Sequence, residues 1–227
     1  MLVSIRNILA ADEVAYCRQE LAKSAWVDGK VTAGEQSAKA KTNLQIPQNS
    51  EISEKLGSLI LHALARSETF TSAALPLRVF PPLFNRYDEG MNFGLHVDNS
   101  IRPDPKTGFR IRTDVSSTLF LSDSDEYEGG ELEIEDTYGS HKVKLSAGDL
   151  VLYPASSLHR VCPVTGGSRW ASFFWTQSMV KDDNARTLLY KMDQSIRSVR
   201  QRVPDDDHAV LTLTSVYHNL IRHWAEL

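Results

Sequence analysis

Two histidines and an aspartate carry the first chemistry legible in this chain. His96 and Asp98 are separated by a single residue, and His159 follows sixty-one positions after the aspartate. Two imidazoles with one carboxylate are the donor set of a facial triad. Such a triad takes one face of an octahedral Fe(II) ion and leaves the other face open to a cosubstrate and O2. Arg169 stands ten positions beyond His159, on what reads as the next strand. A guanidinium is permanently charged and forks onto a carboxylate in bidentate geometry. Buried, it needs an anionic partner, because an unpaired charge inside a fold is costly. The neighbours Trp170, Phe173, Phe174 and Trp175 form the most aromatic stretch of the chain, which argues against a surface position.

The elements that must position these residues follow from local pattern. Period-two alternation puts His96 and Asp98 on one face of a predicted strand, the placement one metal needs from two ligands. Alone, the pair also reads as a strand end feeding a polar loop. The second segment sharpens it. A Gly148-Asp149 turn enters the apolar run Leu150-Val151-Leu152-Tyr153, Pro154 ends it, and a short turn brings His159 to the start of the next strand. In a jelly-roll barrel that delivers an imidazole into the barrel mouth. His159 and Arg169 must face the same cavity, so the turn between their strands is predicted to be an odd loop (165–167, pairing Pro163 with Arg169) or a bulge, which Gly166-Gly167 makes easy.

Around the site, a helix over about 11–24 carries Val14, Cys17 and Leu21 on one face. The polar stretch Trp26 to Gln48 is expected to wrap a surface. Asn49-Ser50 can cap a helix over about 50–66, with Ile52, Leu56, Leu59, Ile60 and Leu64 as its buried stripe. From Leu75 short β-rich runs alternate with turn residues. Strands are expected near 77–80, 84–88, 92–97, 113–121, 131–135, 140–145, 150–153, 158–164 and 169–177. Asn99 to Gly108 reads as a long loop after the first ligands. Helical period returns over about 183–201 and 205–225. The pattern predicts a mainly β protein with flanking helices: a sandwich or double-stranded β-helix (jelly roll) core, N-terminal helices and a C-terminal helical appendage. The expected division is 1–74 as an N-terminal flank packed on the barrel, 75–180 as the core and 181–227 as the C-terminal extension.

Composition narrows the class. The 227 residues make one ordinary domain with a small appendage. A net charge of −4 and a pI near 6.0, with charges mixed along the chain, argue against a nucleic-acid partner. The start is broken by Arg6, Asp12 and Glu13, so no signal peptide is expected, and no run suits a membrane span. Two cysteines, Cys17 and Cys162, are too few for a secreted disulfide scaffold and read as buried thiols of a cytoplasmic protein.

Three blocks together resemble a known family. Tyr87-Asp88-Glu89-Gly90-Met91-Asn92-Phe93-Gly94-Leu95-His96-Val97-Asp98, Glu128-Gly129-Gly130-Glu131-Leu132, and Gly148-Asp149 through Arg169 look like Fe(II)/2-oxoglutarate-dependent oxygenases. They resemble most closely the PKHD-type hydroxylases of the prolyl 4-hydroxylase-like branch, over roughly residues 75–178, and the flanking helices suit that subgroup. The resemblance implies that His96, Asp98 and His159 bind Fe(II). It implies that Arg169 binds the distal carboxylate of 2-oxoglutarate, with Tyr87 on the same carboxylate. It also implies hydroxylation of a small-molecule or peptide substrate with release of succinate and CO2, ascorbate as reductant, and by analogy a link to iron uptake. Asp98 is a carboxylate, where related halogenases have Ala or Gly, so halide transfer is disfavoured.

A cupin-like barrel, either a metal-dependent isomerase or a non-catalytic ligand binder, is the alternative. The segment from Gly148 through Pro154 to His159 fits its second motif. It would want His-x-His with a Glu ligand upstream, and it has no role for Arg169. Gly129, Gly130 and Glu131 read as a strand-entry turn rather than as catalytic groups. His62, His141, His208, His218 and His223 lie outside the motifs and read as ordinary surface or core residues. The loop Asn99–Gly108 and the segment Trp26–Pro47 are the expected walls of the substrate site. The helical flanks leave an oligomer open.

Overall fold

Alternating apolar and polar residues pleat most of this chain, and stretches of helical period bracket the pleated part. The computed structural model describes residues 1–32, 40–104, 107–204 and 206–227. Among the described residues the N-terminal third carries the α-helices Ala11–Ala22 (α1), Glu51–Ala65 (α2) and Glu68–Ala74 (α3). Two close the chain: Asp183–Arg200 (α4) and His208–Trp224 (α5). The strands are Val3–Ile5 (β1), Val27–Asp28 (β2), Lys41–Thr42 (β3), Leu44–Gln45 (β4), Pro76–Val79 (β5), Leu83–Asp88 (β6), Asn92–His96 (β7) and Ile101–Pro103 (β8). They continue with Arg110–Arg112 (β9), Val115–Phe120 (β10), Tyr127–Gly129 (β11), Leu132–Asp136 (β12), Gly139–Val143 (β13), Leu150–Pro154 (β14), His159–Val161 (β15) and Val164–Ser178 (β16).

The strands form two larger antiparallel sheets and a ribbon. One sheet runs β1-β14-β10-β16-β6-β4-β2, with β11 and β5 also paired to β16; the other runs β13-β12-β15-β7-β3; β8 pairs with β9. Alternation assigns the faces. Leu119, Leu150, Leu152 and Phe174 pack outward against Leu56, Ile60, Leu64 and Phe70 of the helices. Phe120, Val151 and Tyr153 turn inward, toward Leu132, Ile134 and Val161 of the smaller sheet. This is the expected jelly-roll core with helices at both ends. The Ser50 side chain caps α2 by accepting from the Ser53 N–H at 3.3 Å.

The chain changes sheet twice at one place. β11 pairs with β16, whereas β12 belongs to the other sheet, and Gly129 and Gly130 between them both hold φ near +64°. A Cβ on Gly129 would stand 2.2 Å from the Pro163 carbonyl oxygen, so only glycine fits this crossing. Alongside it, Cys162 and Pro163 carry the chain from β15 into β16. Gly130 N–H donates to Pro163 O at 3.1 Å, and Cys162 N–H donates to Glu131 O at 2.9 Å.

Several expectations are corrected. The His159 and Arg169 strands do not form a hairpin: β15 pairs with β12 and β7, and β16 lies in the opposite sheet. The two side chains therefore share a cavity because the sheets face each other, not through loop parity. Register shifts do occur, in the β11–β16 pairing between Glu128 and Gly129 and in the β15–β7 pairing between His159 and Val161. The stretch after Trp26 is not a surface wrap where it is described. It adds β2, β3 and β4 to the sheets, and Lys41, Asn43, Gln45 and Ile46 are buried. The expected loop Asn99–Gly108 opens with β8 of a two-stranded ribbon. Residues 33–39 and 105–106 of the two expected walls, and residue 205 of the last predicted helix, lie outside the described residues. Helix α3 and strand β1 also went unforeseen, and Cys162 is only half-buried.

At the C-terminal end Leu75, Val180, Ala185 and Leu189 form a separate apolar cluster. Buried Arg186 ties α4 to the exit of β16 by donating to the Val180 and Lys181 carbonyls, both at 2.7 Å. Leu56 is fully buried at the interface of α2 with the larger sheet. Leu56→Ala is expected to lower unfolding free energy by about 2–5 kcal/mol at unchanged urea m-value. A loss well below this range would mean that α2 is not packed as described.

Candidate active site

Two strands of the smaller sheet bring the histidines together. β15 and β7 are antiparallel with His159 opposite His96, and the ring centroids stand 4.2 Å apart. Asp98 lies two residues past His96, beyond the end of β7, rather than on the strand as expected. Its carboxylate nevertheless reaches the same point. One ligand atom from each of His96, Asp98 and His159 falls within 4.8 Å of the others, a separation one metal ion can bridge. His159 Nε2 and Asp98 Oδ2 are 3.8 Å apart.

Each of the three groups is held from behind. His96 Nδ1–H donates to the Gly94 carbonyl at 2.8 Å, and His159 Nδ1–H donates to the Ser157 carbonyl at 3.0 Å. That tautomer leaves each Nε2 lone pair free for a metal. Burial, and then the neighbouring His159, pushes the His96 imidazole down to about 4, so at neutral pH it is an uncharged donor. Phe93 stacks on His96 with centroids 3.6 Å apart and fixes the ring plane. The Ser116 hydroxyl donates to Asp98 Oδ2 at 2.5 Å. Sequence reasoning passed over Ser116. Its signal was the polar run Ser116-Ser117-Thr118 inside a strand that is buried throughout.

Arg169 sits on the inner face of β16, opposite Tyr87 of β6 in the strand register. It is 1% exposed, and its Nε and Nη2 have no hydrogen-bond partner. The aromatic rings of Phe120 and Tyr87 stand 5.1 and 5.6 Å from the guanidinium carbon. Among the described residues no carboxylate pairs with it. Two donors buried beside a full charge demand an acceptor, and a carboxylate entering the cavity satisfies both. Tyr87 is buried beside it, and burial pushes its phenol up to about 12, so it remains a neutral O–H donor.

The cavity is also lined from the two segments expected as its walls, Trp26–Pro47 and Asn99–Gly108. Lys41 from β3 and Arg102 from β8 line it, together with Phe93, Phe173 and Trp175. Burial, then the charge of Arg102, pushes the Lys41 ammonium down to about 8.

Comparison with known proteins agrees with this architecture. Residues 82–177 match the 2OG-Fe(II) oxygenase superfamily, and residues 183–226 match the PKHD-type hydroxylase C-terminal domain. A Pseudomonas putida prolyl-4-hydroxylase shares the fold with a TM-score of 0.54 at 20% identity, over 78% of this chain and 92% of that one. Fold and superfamily match together define an Fe(II)- and 2-oxoglutarate-dependent oxygenase. A PKHD-type hydroxylase of Gluconobacter oxydans (strain 621H) is 64% identical over the full length of both chains, and one of Cupriavidus metallidurans (strain ATCC 43123 / DSM 2839 / NBRC 102507 / CH34) is 63% identical, also over both full lengths. The chain belongs to the PKHD-type hydroxylases, and the cupin-like alternative is set aside.

If the three-residue cluster holds the metal, Ser116→Ala should free the Asp98 carboxylate and lower Co(II) affinity by roughly 10- to 100-fold. Titration of the visible Co(II) bands measures this, and an unchanged affinity would remove Ser116 from the support of the site.

Proposed function

We propose that His96, Asp98 and His159 hold Fe(II), and that Arg169, with the Tyr87 hydroxyl, receives the distal carboxylate of 2-oxoglutarate. The observation that carries this reading is the buried guanidinium with two partnerless donors in the same cavity as three convergent ligand atoms. When bound, the iron and its cosubstrate supply the oxidising chemistry: one atom of O2 enters succinate as CO2 is released, and the other hydroxylates a substrate C–H. The protein's part is placement and exclusion of water. His96 and His159 offer imidazoles at fixed orientation, and the carboxylate of Asp98 is steered by Ser116. The aromatic walls Phe120, Phe173 and Trp175 keep the surroundings of low polarity, which strengthens the charge pairing at Arg169.

The substrate is a small molecule or a peptide segment, and ascorbate serves as the reductant that keeps the iron in its ferrous state. The chain divides into the N-terminal flank 1–74, the barrel 75–180 and the helical extension 181–227. The separate matches over 82–177 and 183–226 support the second boundary. Free Cys17 and Cys162 suit a reducing, cytoplasmic setting. Among the described residues no helix is long and apolar enough to cross a membrane.

The direct test is anaerobic reconstitution with Fe(II) followed by 2-oxoglutarate. The weak visible charge-transfer band of the iron–oxo acid chelate should appear, and it should vanish in His159→Ala. Metal binding with no band would sink the assignment. Asp98→Ala should abolish 2-oxoglutarate turnover, measured as succinate formed. Arg169→Ala should mainly weaken 2-oxoglutarate binding, by about 2–5 kcal/mol for the lost carboxylate fork. An unchanged cosubstrate affinity would take Arg169 out of the site.

A further inference from the structure

Two cations of the cavity have no task in holding the metal or 2-oxoglutarate. Lys41 is 4% exposed, with its Nζ 5.1 Å from the centre of the Phe93 ring and 5.9 Å from that of Phe173. Arg102 comes from the separate β8–β9 ribbon and lies over the indole of Trp175, with its guanidinium carbon 4.1 Å from the ring centre. Phe80 flanks it at 5.4 Å. The Arg102 Nε is buried without a hydrogen-bond partner, and among the described residues no carboxylate forms an ion pair with this side chain. Two positive groups brought close in an aromatic surrounding repel each other, and removing them from water is costly.

The charges of the occupied site make the point sharper. The two positive charges of the metal and the one on Arg169 are met by Asp98 and the two carboxylates of 2-oxoglutarate. Asp98 is also the carboxylate whose field acts on both Lys41 and Arg102, and it is then engaged by the metal. Asp28 remains as a further anion acting on Lys41. With Asp98 engaged, the partnerless Arg102 donor faces the space beside the metal ligands, which Lys41 also lines.

We propose that Lys41 and Arg102 bind a carboxylate of the hydroxylated substrate, held over the aromatic floor of Phe93, Phe173 and Trp175. The inference rests on the reading of this cavity as the metal and 2-oxoglutarate site, and it names the substrate class of that site. The Arg102 guanidinium is planar and lies over the Trp175 ring, so its in-plane donors match a planar carboxylate. A phosphate dianion fits less well, because its desolvation beside the Asp98 carboxylate costs more than that of a monoanion. Anchoring one end of the substrate here leaves its aliphatic or aromatic body against the apolar floor and one C–H facing the metal ligands.

The probe is benzoate, titrated calorimetrically into anaerobic protein loaded with Fe(II) and saturating 2-oxoglutarate. Benzamide is the neutral twin and phenyl phosphate the dianionic one. Benzoate is expected to bind, and both twins to bind more weakly by about tenfold or more. Arg102→Gln and Lys41→Gln should each weaken benzoate by roughly tenfold or more while the iron–2-oxoglutarate band persists. Should Arg102→Gln lose the band through misfolding, Lys41→Gln carries the test. No benzoate binding, equal binding of benzamide, or indifference to both substitutions would overturn the proposal. Loss of the visible band as benzoate is added would place the anion at Arg169 and overturn it too. A preference for phenyl phosphate would overturn the carboxylate class. A wild-type protein that gives no band at all fails one level lower, at the metal and cosubstrate assignment itself.

Discussion

A guanidinium buried without a counter-charge is the constraint around which this fold is arranged. Arg169 is 1% exposed, lies between aromatic rings, and keeps two donors without partners. In a folded protein such a group is strongly destabilising unless an anion enters. The molecule tolerates it because β16 is anchored on every other count. Its outward residues Trp170 and Phe174 belong to the main apolar cluster with α1, α2 and α3, and its backbone pairs with β10 on one side and β6 on the other. The stability of the outer layer holds a cation where the proposed cosubstrate, not the protein, would neutralise it.

The proposed metal ligands obey a different logic. Their convergence depends on one register, His159 opposite His96, and on a carboxylate that leaves the strand just as it is needed. A one-residue slip of β15 against β7 would turn His159 out of the cavity. The double crossing at Gly129-Gly130 and Pro163 guards against that slip. It bonds β11–β12 and β15–β16 to each other where both change sheet. The glycines near the middle of the chain thus act on the site through strand register, without touching it.

Much of this was legible in the sequence, and the omissions share a cause. The His-x-Asp spacing, the Gly148 to His159 segment and the offset to Arg169 are local patterns, so they singled out, before any fold was known, residues that the structure brings to one cavity. The helices of Leu56, Ile60 and Leu64 and of the C-terminal extension were readable from their 3.6 period. Pairing partners were not readable. Adjacent strands in sequence look like a hairpin, and nothing local in Pro163 to Gly167 says that β15 and β16 part into opposite sheets. The two-residue strands β2, β3 and β4 carry no period at all; tertiary pairing alone creates them. For the same reason Lys41 was not singled out within the expected wall Trp26–Pro47, although it lines the cavity. Ser116 was visible only as an anomaly, polar residues in a strand with both faces covered, and its meaning needed Asp98 beside it.

The cavity ends up with cations at two levels, and the difference between them is physical. Arg169 comes from the central strand of the larger sheet and is wholly enclosed, so it can serve only a ligand that enters fully. Lys41 and Arg102 come from peripheral elements, a two-residue edge strand and a detached ribbon. Peripheral elements can vary without disturbing the sheet registers on which the triad depends. A fold built this way keeps its oxidising chemistry on rigid central strands and leaves substrate choice to side chains on its rim. On that division, the proposed substrate carboxylate meets Lys41 of β3 and Arg102 of β8 rather than a residue of the central strands.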